Sequence, residues 1–155
     1  MSKYSFFIVL NFHVCLLMFS HSDVVGQIKP EAYIIPKPTE IFYTGGFCTL
    51  DHIAYQHDSV LFSPYTDVLF ESMNKYLPVN KKSAASDINL GFKVSSDMMS
   101  ESYELYIYND KIIISAADKI GIQYALTSLE QVVRFNNGKL PVIVIKDSPK
   151  FRYRG

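Results

Sequence analysis

Tryptophan is absent from this chain of 155 residues, and cysteine occurs only twice, at Cys15 and Cys48. So few cysteines exclude the disulfide framework of a small secreted scaffold, and stability must come from packing. Neither charge is in excess, since Lys and Arg together number 15 and Asp and Glu also number 15. This balance argues against a nucleic-acid-binding protein or one held on an anionic membrane, because both need a basic surplus.

The motifs of common catalytic and cofactor sites are also missing. The chain has no Cys-x-x-Cys, His-Glu-x-x-His, P-loop, Gly-x-Gly-x-x-Gly or Gly-x-Ser-x-Gly. His52 and His57 are five residues apart, which places them on opposite faces of a regular strand and argues against a metal site. We therefore expect no metal and no cofactor, and a zinc peptidase is excluded for want of ligands. The scattered acidic residues are interpreted as surface groups or helix caps: Asp97, Glu101, Asp110, Asp118 and Asp147.

The first residues have the pattern of a secretory signal. Lys3 supplies a positive charge, and residues 5–19 form an apolar run. The run is shorter than the roughly 20 apolar residues of a membrane-spanning helix. We predict a signal peptide over residues 1–22, with cleavage after Ser22 or Gly26, export to the periplasm or the extracellular space, and no membrane span afterwards. Cys48 is then the single cysteine of the mature chain, and we interpret it as a buried structural thiol rather than a nucleophile.

The first half of the mature chain predicts short strands and one helix. Strands are expected at residues 34–35, 47–50, 52–57 and 88–95. Gly45 and Gly46 predict a turn. Ser63 and Pro64 predict a helix start, and apolar residues at helical spacing, Val68 among them, continue to Pro78.

The second half gives clearer signals. Residues 103–115 read as a β-hairpin that turns at Asn109 and Asp110, with Tyr103, Leu105 and Ile107 on one face. A helix capped by Asp118 follows and ends near Gly138, before a strand at residues 140–145. Its apolar stripe is Ile122, Leu126, Leu129 and Val133. The order predicts an α+β fold over residues 27–148, a mainly antiparallel or mixed sheet with two helices packed on one face as a two-layer sandwich.

Four stretches then occur together in a recognisable order. They are Ile-Ile-Pro-Lys-Pro at 34–38, Glu-Ser-Tyr-Glu-Leu-Tyr-Ile at 101–107, residues 112–118 running into 121–131, and Leu-Pro at 140–141 leading to residues 145–155. In this combination the chain resembles the non-catalytic N-terminal domain, domain b, of glycoside hydrolase family 20, the β-N-acetylhexosaminidases. Gly121 would let helix and sheet approach closely. Gln131 would bond backbone at the sheet edge.

The resemblance implies a division of labour within a longer parent protein. In the family, residues equivalent to 149–155 cross into a (β/α)8 barrel that holds an adjacent Asp-Glu pair. The Glu is the general acid, and the Asp orients the 2-acetamido group of the substrate, which acts as the nucleophile. This chain lacks that barrel, so no catalytic residue is expected in it. Its implied partners are the barrel of the same parent and, in the parent, a glycan that contains N-acetylhexosamine.

One residue of this chain is implied in substrate binding. Arg154 matches the family arginine that binds hydroxyls of the terminal sugar, a task suited to a planar guanidinium. That role belongs to the full-length parent only, and Arg152 is interpreted as a surface or domain-contact residue. The alternative is a stand-alone exported glycan-binding or scaffolding domain, with glycan contacts through Tyr106 and Tyr108.

Overall fold

The computed structural model of the protein describes residues 33–82 and 88–148. Over these ranges, seven strands and two helices surround one apolar core. In chain order the elements are β1 (Glu40–Phe47), β2 (Ile53–Tyr55), α1 (Pro64–Met73), β3 (Val79–Lys81), β4 (Leu90–Val94), β5 (Tyr103–Ile107), β6 (Ile112–Ala116), α2 (Lys119–Phe135) and β7 (Pro141–Asp147).

The strands belong to one mixed sheet, ordered β1-β7-β5-β6-β4-β2-β3. The pairs β1–β7, β5–β7 and β5–β6 are antiparallel. The pairs β4–β6, β2–β4 and β2–β3 are parallel. A mixed sheet with two helices confirms the predicted α+β class.

The central strands bury one side and leave the other half-exposed. In β5, Tyr103, Leu105 and Ile107 are buried while Glu104 and Tyr106 are not, as expected for a strand with a period of two. The register carries this alternation across β6 and β7. Both helices add their apolar residues to the core on the buried side.

Helix α1 begins where the sequence predicts but ends earlier. Pro64 is its first residue, and the amide of Ser63 donates to the Thr66 hydroxyl at 3.1 Å. The helix stops at Met73, and the Asn74 side chain then accepts from the amide of Val79 at 2.8 Å, turning the chain into β3. The prediction of a helix up to Pro78 was therefore wrong at its end, and strand β3 was missed.

Helix α2 follows the prediction closely. The Asp118 carboxylate accepts from the Gly121 amide at 2.9 Å, which confirms the cap. A Cβ on Gly121 would overlap the Ser102 carbonyl oxygen and come within 3.1 Å of the Ala116 Cβ. Only glycine allows this close approach, as the sequence indicated. The predicted stripe is buried: Ile122, Leu126, Leu129 and Val133.

Three early predictions were wrong. Residues 48–50 form no strand, because β1 ends at Phe47. Ile34 and Ile35 form no strand; the Gln131 side chain from α2 instead bonds both the amide and the carbonyl of Ile35. Gly45 and Gly46 lie inside β1 rather than in a separate turn. Both have positive φ, and the β1–β7 register shifts between Tyr43 and Phe47, so the glycines form an irregularity within an edge strand.

Candidate functional site

A cleft of about 300 Å³ opens on the helical side of the domain. Ile35 and Pro36 line it from the segment before β1, Tyr65 lines it from α1, and Tyr124 lines it from α2. The lining combines apolar side chains with a few polar groups, which is the usual composition of a binding surface. The cleft is therefore the first candidate for the functional site.

One wall of the cleft is held by Gln131. Its side-chain oxygen accepts from the Ile35 amide at 2.8 Å, and its side-chain nitrogen donates to the Ile35 carbonyl at 3.1 Å. The predicted bond to backbone is confirmed, but its partner is an irregular segment rather than a sheet edge. With its backbone fixed in this way, Ile35 leaves 76% of its surface exposed.

The buried polar groups of the cleft are paired with each other. The hydroxyls of Tyr103 and Ser128 share a hydrogen bond of 2.6 Å, and both residues are buried. Burial raises the pKa of Tyr103 to about 12, although the bond to Ser128 acts in the opposite direction. The phenol therefore stays protonated at neutral pH and is unsuited to act as a general base.

A second hollow extends the cleft along α1 and α2. It shares Ile35 and Tyr65 with the cleft and adds Val68, Arg134 and Phe135. We call these five residues the helical face. Of the residues that the sequence placed at helical spacing in α1, Leu69 and Met73 are buried, whereas Val68 is 56% exposed.

The helical face is ordered by contacts around its rim. The guanidinium of Arg134 lies 5.6 Å from the ring centroid of Phe135, and the ring of Tyr33 lies 5.8 Å from that of Phe135. Glu130 is buried, accepts from the Ser72 hydroxyl at 2.8 Å and lies 3.8 Å from Arg134. Exposed apolar groups on such a fixed frame are typical of a surface that another protein domain covers.

The end of β7 lies beside this surface. Asp147 lines the cleft, and its carboxylate accepts from the Thr39 amide at 3.1 Å and from the Thr39 hydroxyl at 3.0 Å. Strand β7 therefore ends at the cleft that adjoins the helical face.

The opposite side of the sheet differs in character. Glu104 accepts from Lys146 at 2.7 Å and also from the hydroxyl of Tyr106. The bond from Lys146 holds the pKa of Glu104 below its ordinary value, and the same bond raises the pKa of Lys146. The rings of Tyr106 and Tyr108 are parallel within 3°, with centroids 6.0 Å apart. We call the outward side chains of β1, β5, β6 and β7 the sheet face.

The sequence-predicted site residues have different outcomes. Arg154 and Arg152 lie outside the described residues, so their predicted roles stay predictions. The ring of His52 pairs with Asp51, whereas the ring of His57 packs edge-on against Phe62 at 5.5 Å. The two histidines thus contact different residues.

Cys48 follows β1 and contacts the tip of the β5–β6 hairpin. Its thiol donates to the Asn109 carbonyl at 3.2 Å and accepts from the Leu50 amide at 3.4 Å. Burial raises the pKa of the thiol; the Leu50 amide opposes this effect and the charge of Asp110 adds to it. A raised pKa disfavours the thiolate that a nucleophile requires. The thiol is half-buried rather than fully buried as predicted.

Neither a metal centre nor a membrane span is found in the part of the chain that the structure describes. No group of three His, Cys, Asp or Glu side chains within residues 33–82 and 88–148 could hold a metal ion. No helix in those same ranges is long and apolar enough to cross a membrane.

The chain is similar to known proteins in both sequence and fold. Residues 31–148 match the family model "Glycosyl hydrolase family 20, domain 2". Over 57 residues, 36% of this chain and 6% of the relative, it is 44% identical to N,N'-diacetylchitobiase of Vibrio harveyi. A solved β-N-acetylhexosaminidase of Bacteroides fragilis shares 24% identity and a TM-score of 0.59 over 80% of this chain and 26% of that one.

Two further solved structures have the same fold. The exo β-N-acetylglucosaminidase of Vibrio harveyi, in complex with N-acetylglucosamine, has 20% identity and a TM-score of 0.61, covering 78% of this chain and 20% of that one. A mutant Streptomyces plicatus β-hexosaminidase has 16% identity and a TM-score of 0.62, covering 82% and 28%. The chain thus spans between 20% and 28% of the length of these relatives. The family model covers most of the chain, and the chain belongs to glycosyl hydrolase family 20, as its domain 2.

Proposed function

We propose that this chain is the accessory domain of an exported β-N-acetylhexosaminidase. The complete enzyme removes terminal N-acetylhexosamine from glycans or chitooligosaccharides. The observation that carries the proposal is the match of residues 31–148 to domain 2 of a hydrolase family, supported by similarity to a chitobiase and to hexosaminidases. These relatives are several times longer than this chain, so in our proposal the chemistry lies in the remainder of the parent protein.

The helical face is the surface by which the domain serves the parent. Its exposed apolar side chains, including Ile35, Val68 and Phe135, border a cleft. Strand β7 ends at Asp147, which lines that cleft, and this supports a following domain that lies next to it. Burial of apolar area at about 25 cal/mol per Å² drives such docking. We therefore propose that the catalytic (β/α)8 barrel covers this face and is stabilised by it.

The domain itself contributes no catalytic carboxylate in this account. Two of the acidic groups noted in the sequence have structural roles, since Asp118 caps α2 and Asp147 ties Thr39 to β7. Proton transfer to the leaving group then belongs to the Asp-Glu pair of the barrel. Arg154, at the proposed junction of residues 149–155, binds hydroxyls of the terminal sugar once the barrel is present.

Export completes the proposal. A signal peptide at residues 1–22 directs the parent to the periplasm or the extracellular space of a bacterium. The apolar run at residues 5–19, which follows Lys3, supports this step. Pulse-labelling with and without a signal-peptidase inhibitor tests it, since a precursor that never shortens contradicts export by cleavage.

Two measurements test the enzymatic assignment. The full-length gene product is expected to hydrolyse an aryl N-acetylglucosaminide, whereas the 155-residue chain alone is expected to be inactive. Hydrolysis by the chain alone would show a catalytic centre that we have not assigned. Sequencing the gene beyond codon 155 is the second measurement, and a natural stop codon there would contradict the accessory role.

The second candidate function is a stand-alone exported domain that binds glycans or acts as a scaffold. The parallel rings of Tyr106 and Tyr108 on the sheet face favour it over a purely structural role. A natural stop codon together with measurable glycan binding would support this candidate in place of the first.

A further inference from the structure

The sheet face contains a hollow at the tip of the β5–β6 hairpin. It measures about 490 Å³ and is lined by Tyr108, Asn109, Asp110, Lys111, Ile113 and Val142. The hollow is open to solvent, so a ligand would lie along it rather than be enclosed by it. We call it the hairpin hollow, and it lies on the opposite side of the sheet from the helices.

The hairpin hollow has a rigid base. The Asn109 carbonyl accepts three hydrogen bonds, from the Thr49 amide at 2.8 Å, the Thr49 hydroxyl at 2.8 Å and the Cys48 thiol at 3.2 Å. The Tyr108 amide donates to the Lys111 carbonyl at 2.9 Å and closes the turn. A tip fixed in this way loses little conformational entropy when it binds a ligand.

An aromatic ring with polar neighbours occupies the hollow. The ammonium of Lys111 lies 5.5 Å from the ring centroid of Tyr108, and the Tyr106 ring lies parallel to the Tyr108 ring. Tyr108 is 39% exposed. Its ring offers an apolar surface, while Lys111 is a donor and Asp110 an acceptor. A ligand that has both a C–H face and many hydroxyl groups matches this combination.

The charges of the hollow select among ligand classes. Asp110 and Lys111 cancel, and on the same face Glu104 is paired with Lys146, so the hollow has no net charge for a polyanion. The cores of protein–protein interfaces are depleted in Lys and Asp, whereas both line this hollow. A neutral, hydroxyl-rich glycan fits these features better than a nucleic acid or a protein partner.

We propose that the hairpin hollow binds a neutral glycan containing N-acetylhexosamine. A pyranose ring takes the place of the Lys111 ammonium over the Tyr108 ring. The displaced Lys111 donates to a hydroxyl or acetamido oxygen of the sugar, and Asp110 accepts from its hydroxyls. The choice of glycan class rests on the proposed function. Such a site raises the local concentration of substrate at an attached barrel, because linked sites bind with an avidity above that of either alone.

Titration of the full chain with N,N′,N″,N‴-tetraacetylchitotetraose tests the proposal by calorimetry or NMR. Saturable binding is expected, and Tyr108→Ala is expected to weaken it at least tenfold. Tyr108→Phe keeps the ring and should bind within about threefold of the unaltered chain. Tyr76→Ala is the matched control, because Tyr76 is 40% exposed and does not line the hollow. Circular dichroism confirms that each variant is folded.

The possible outcomes are distinct. Absence of binding, or binding unchanged by Tyr108→Ala, would overturn the proposal that the hairpin hollow binds a glycan. Dimerisation of the chain that depends on Tyr108 also overturns it, because the occupant would then be a second copy. Hydrolysis of an aryl N-acetylglucosaminide by the full-length protein is scored separately. Hydrolysis without Tyr108-dependent binding would refute the glycan site at the hairpin hollow but not the proposed enzyme. Tyr108-dependent binding without hydrolysis would support the glycan site and refute the proposed enzymatic function of the parent.

Discussion

The two outer surfaces of this domain both expose apolar side chains, but the neighbours of those side chains differ. On the helical face, Val68 is 56% exposed and borders a cleft. On the sheet face, Phe42 is 50% exposed, but nearby Tyr106 and Tyr108 pack on each other and Glu104 pairs with Lys146. In our two proposals, the sheet face meets water and a local ligand, whereas the helical face is covered by the barrel. Two sides of one small sandwich can thus have different tasks.

Two glycines should differ most when each is replaced by alanine: Gly121 in the first turn of α2 and Gly91 on the outer side of the sheet. Gly121→Ala should lower the free energy of unfolding by about 2 kcal/mol, since the added methyl group meets the Ser102 carbonyl and overpacking typically costs about 1–3 kcal/mol. In Gly91→Ala the Cβ meets nothing within 4 Å, so a change below about 1 kcal/mol is expected. Urea denaturation measures both. Equal losses would show that the layers are not in the close contact described.

The next effect tests coverage of the helical face. In the full-length protein, Val68→Asp should lower stability by about 2 kcal/mol, roughly the value of burying one aliphatic side chain. In the chain alone the same change should leave stability nearly unchanged and improve solubility, because it removes exposed apolar surface. Thermal melts and size-exclusion chromatography measure these effects. Phe42→Asp is the control on the sheet face, and a loss in the full-length protein as large as that of Val68→Asp would remove the distinction between the faces.

A smaller effect is expected at the wall of the cleft. Gln131→Ala removes both bonds to the Ile35 backbone and should cost about 1–2 kcal/mol, because unpaired peptide groups lose their hydrogen bonds. Gln123→Ala, on the same helix and also at the cleft, is the control. Proteolysis of the segment before β1 provides a second readout, and unchanged protection would contradict the anchoring role.

The smallest effect concerns pH and the sheet face. Because Lys146 holds the pKa of Glu104 below its ordinary value, the pair stabilises the fold above the unfolded pKa of about 4.3, and this contribution is lost as the pH falls through the lower, folded pKa. Glu104→Gln should remove this acid dependence with a loss below about 1 kcal/mol at neutral pH. Denaturation between pH 3 and 7 measures it, with exposed Glu71→Gln as the control. If stability fell more steeply with acid in Glu104→Gln than in the unaltered chain, the pair would not contribute stability in the direction that we expect.

Local signals made half of the fold predictable from sequence. The hairpin at Asn109 and Asp110 and the cap at Asp118 depend on neighbouring residues, and both were confirmed. Strand β3 is only three residues long and pairs in parallel with β2, from which a helix separates it in sequence. No local sequence pattern therefore predicted it. Strand β1 was missed because Gly45 and Gly46 interrupt its alternation.

The candidate site was less predictable than the fold. Ile35 was placed in a strand, but its backbone is held by Gln131, 96 residues further along the chain. Val68, Leu69 and Met73 were placed together at helical spacing, and Leu69 and Met73 are buried whereas Val68 is exposed. The sequence signal for the helical face was Val68 itself, an apolar residue next to the residues that already form the buried side of α1. Arg154 lies outside the described residues, and its role stays a prediction.

Cysteine labelling of the two faces tests the account most directly. Val68→Cys and Phe42→Cys, each made after replacing Cys15 and Cys48 with serine, are labelled with a maleimide in the chain alone and in the full-length protein. We expect both to react at similar rates in the chain alone. In the full-length protein, Val68→Cys should be protected at least tenfold while Phe42→Cys still reacts. Equal labelling of both cysteines in the full-length protein would contradict docking of the barrel on the helical face.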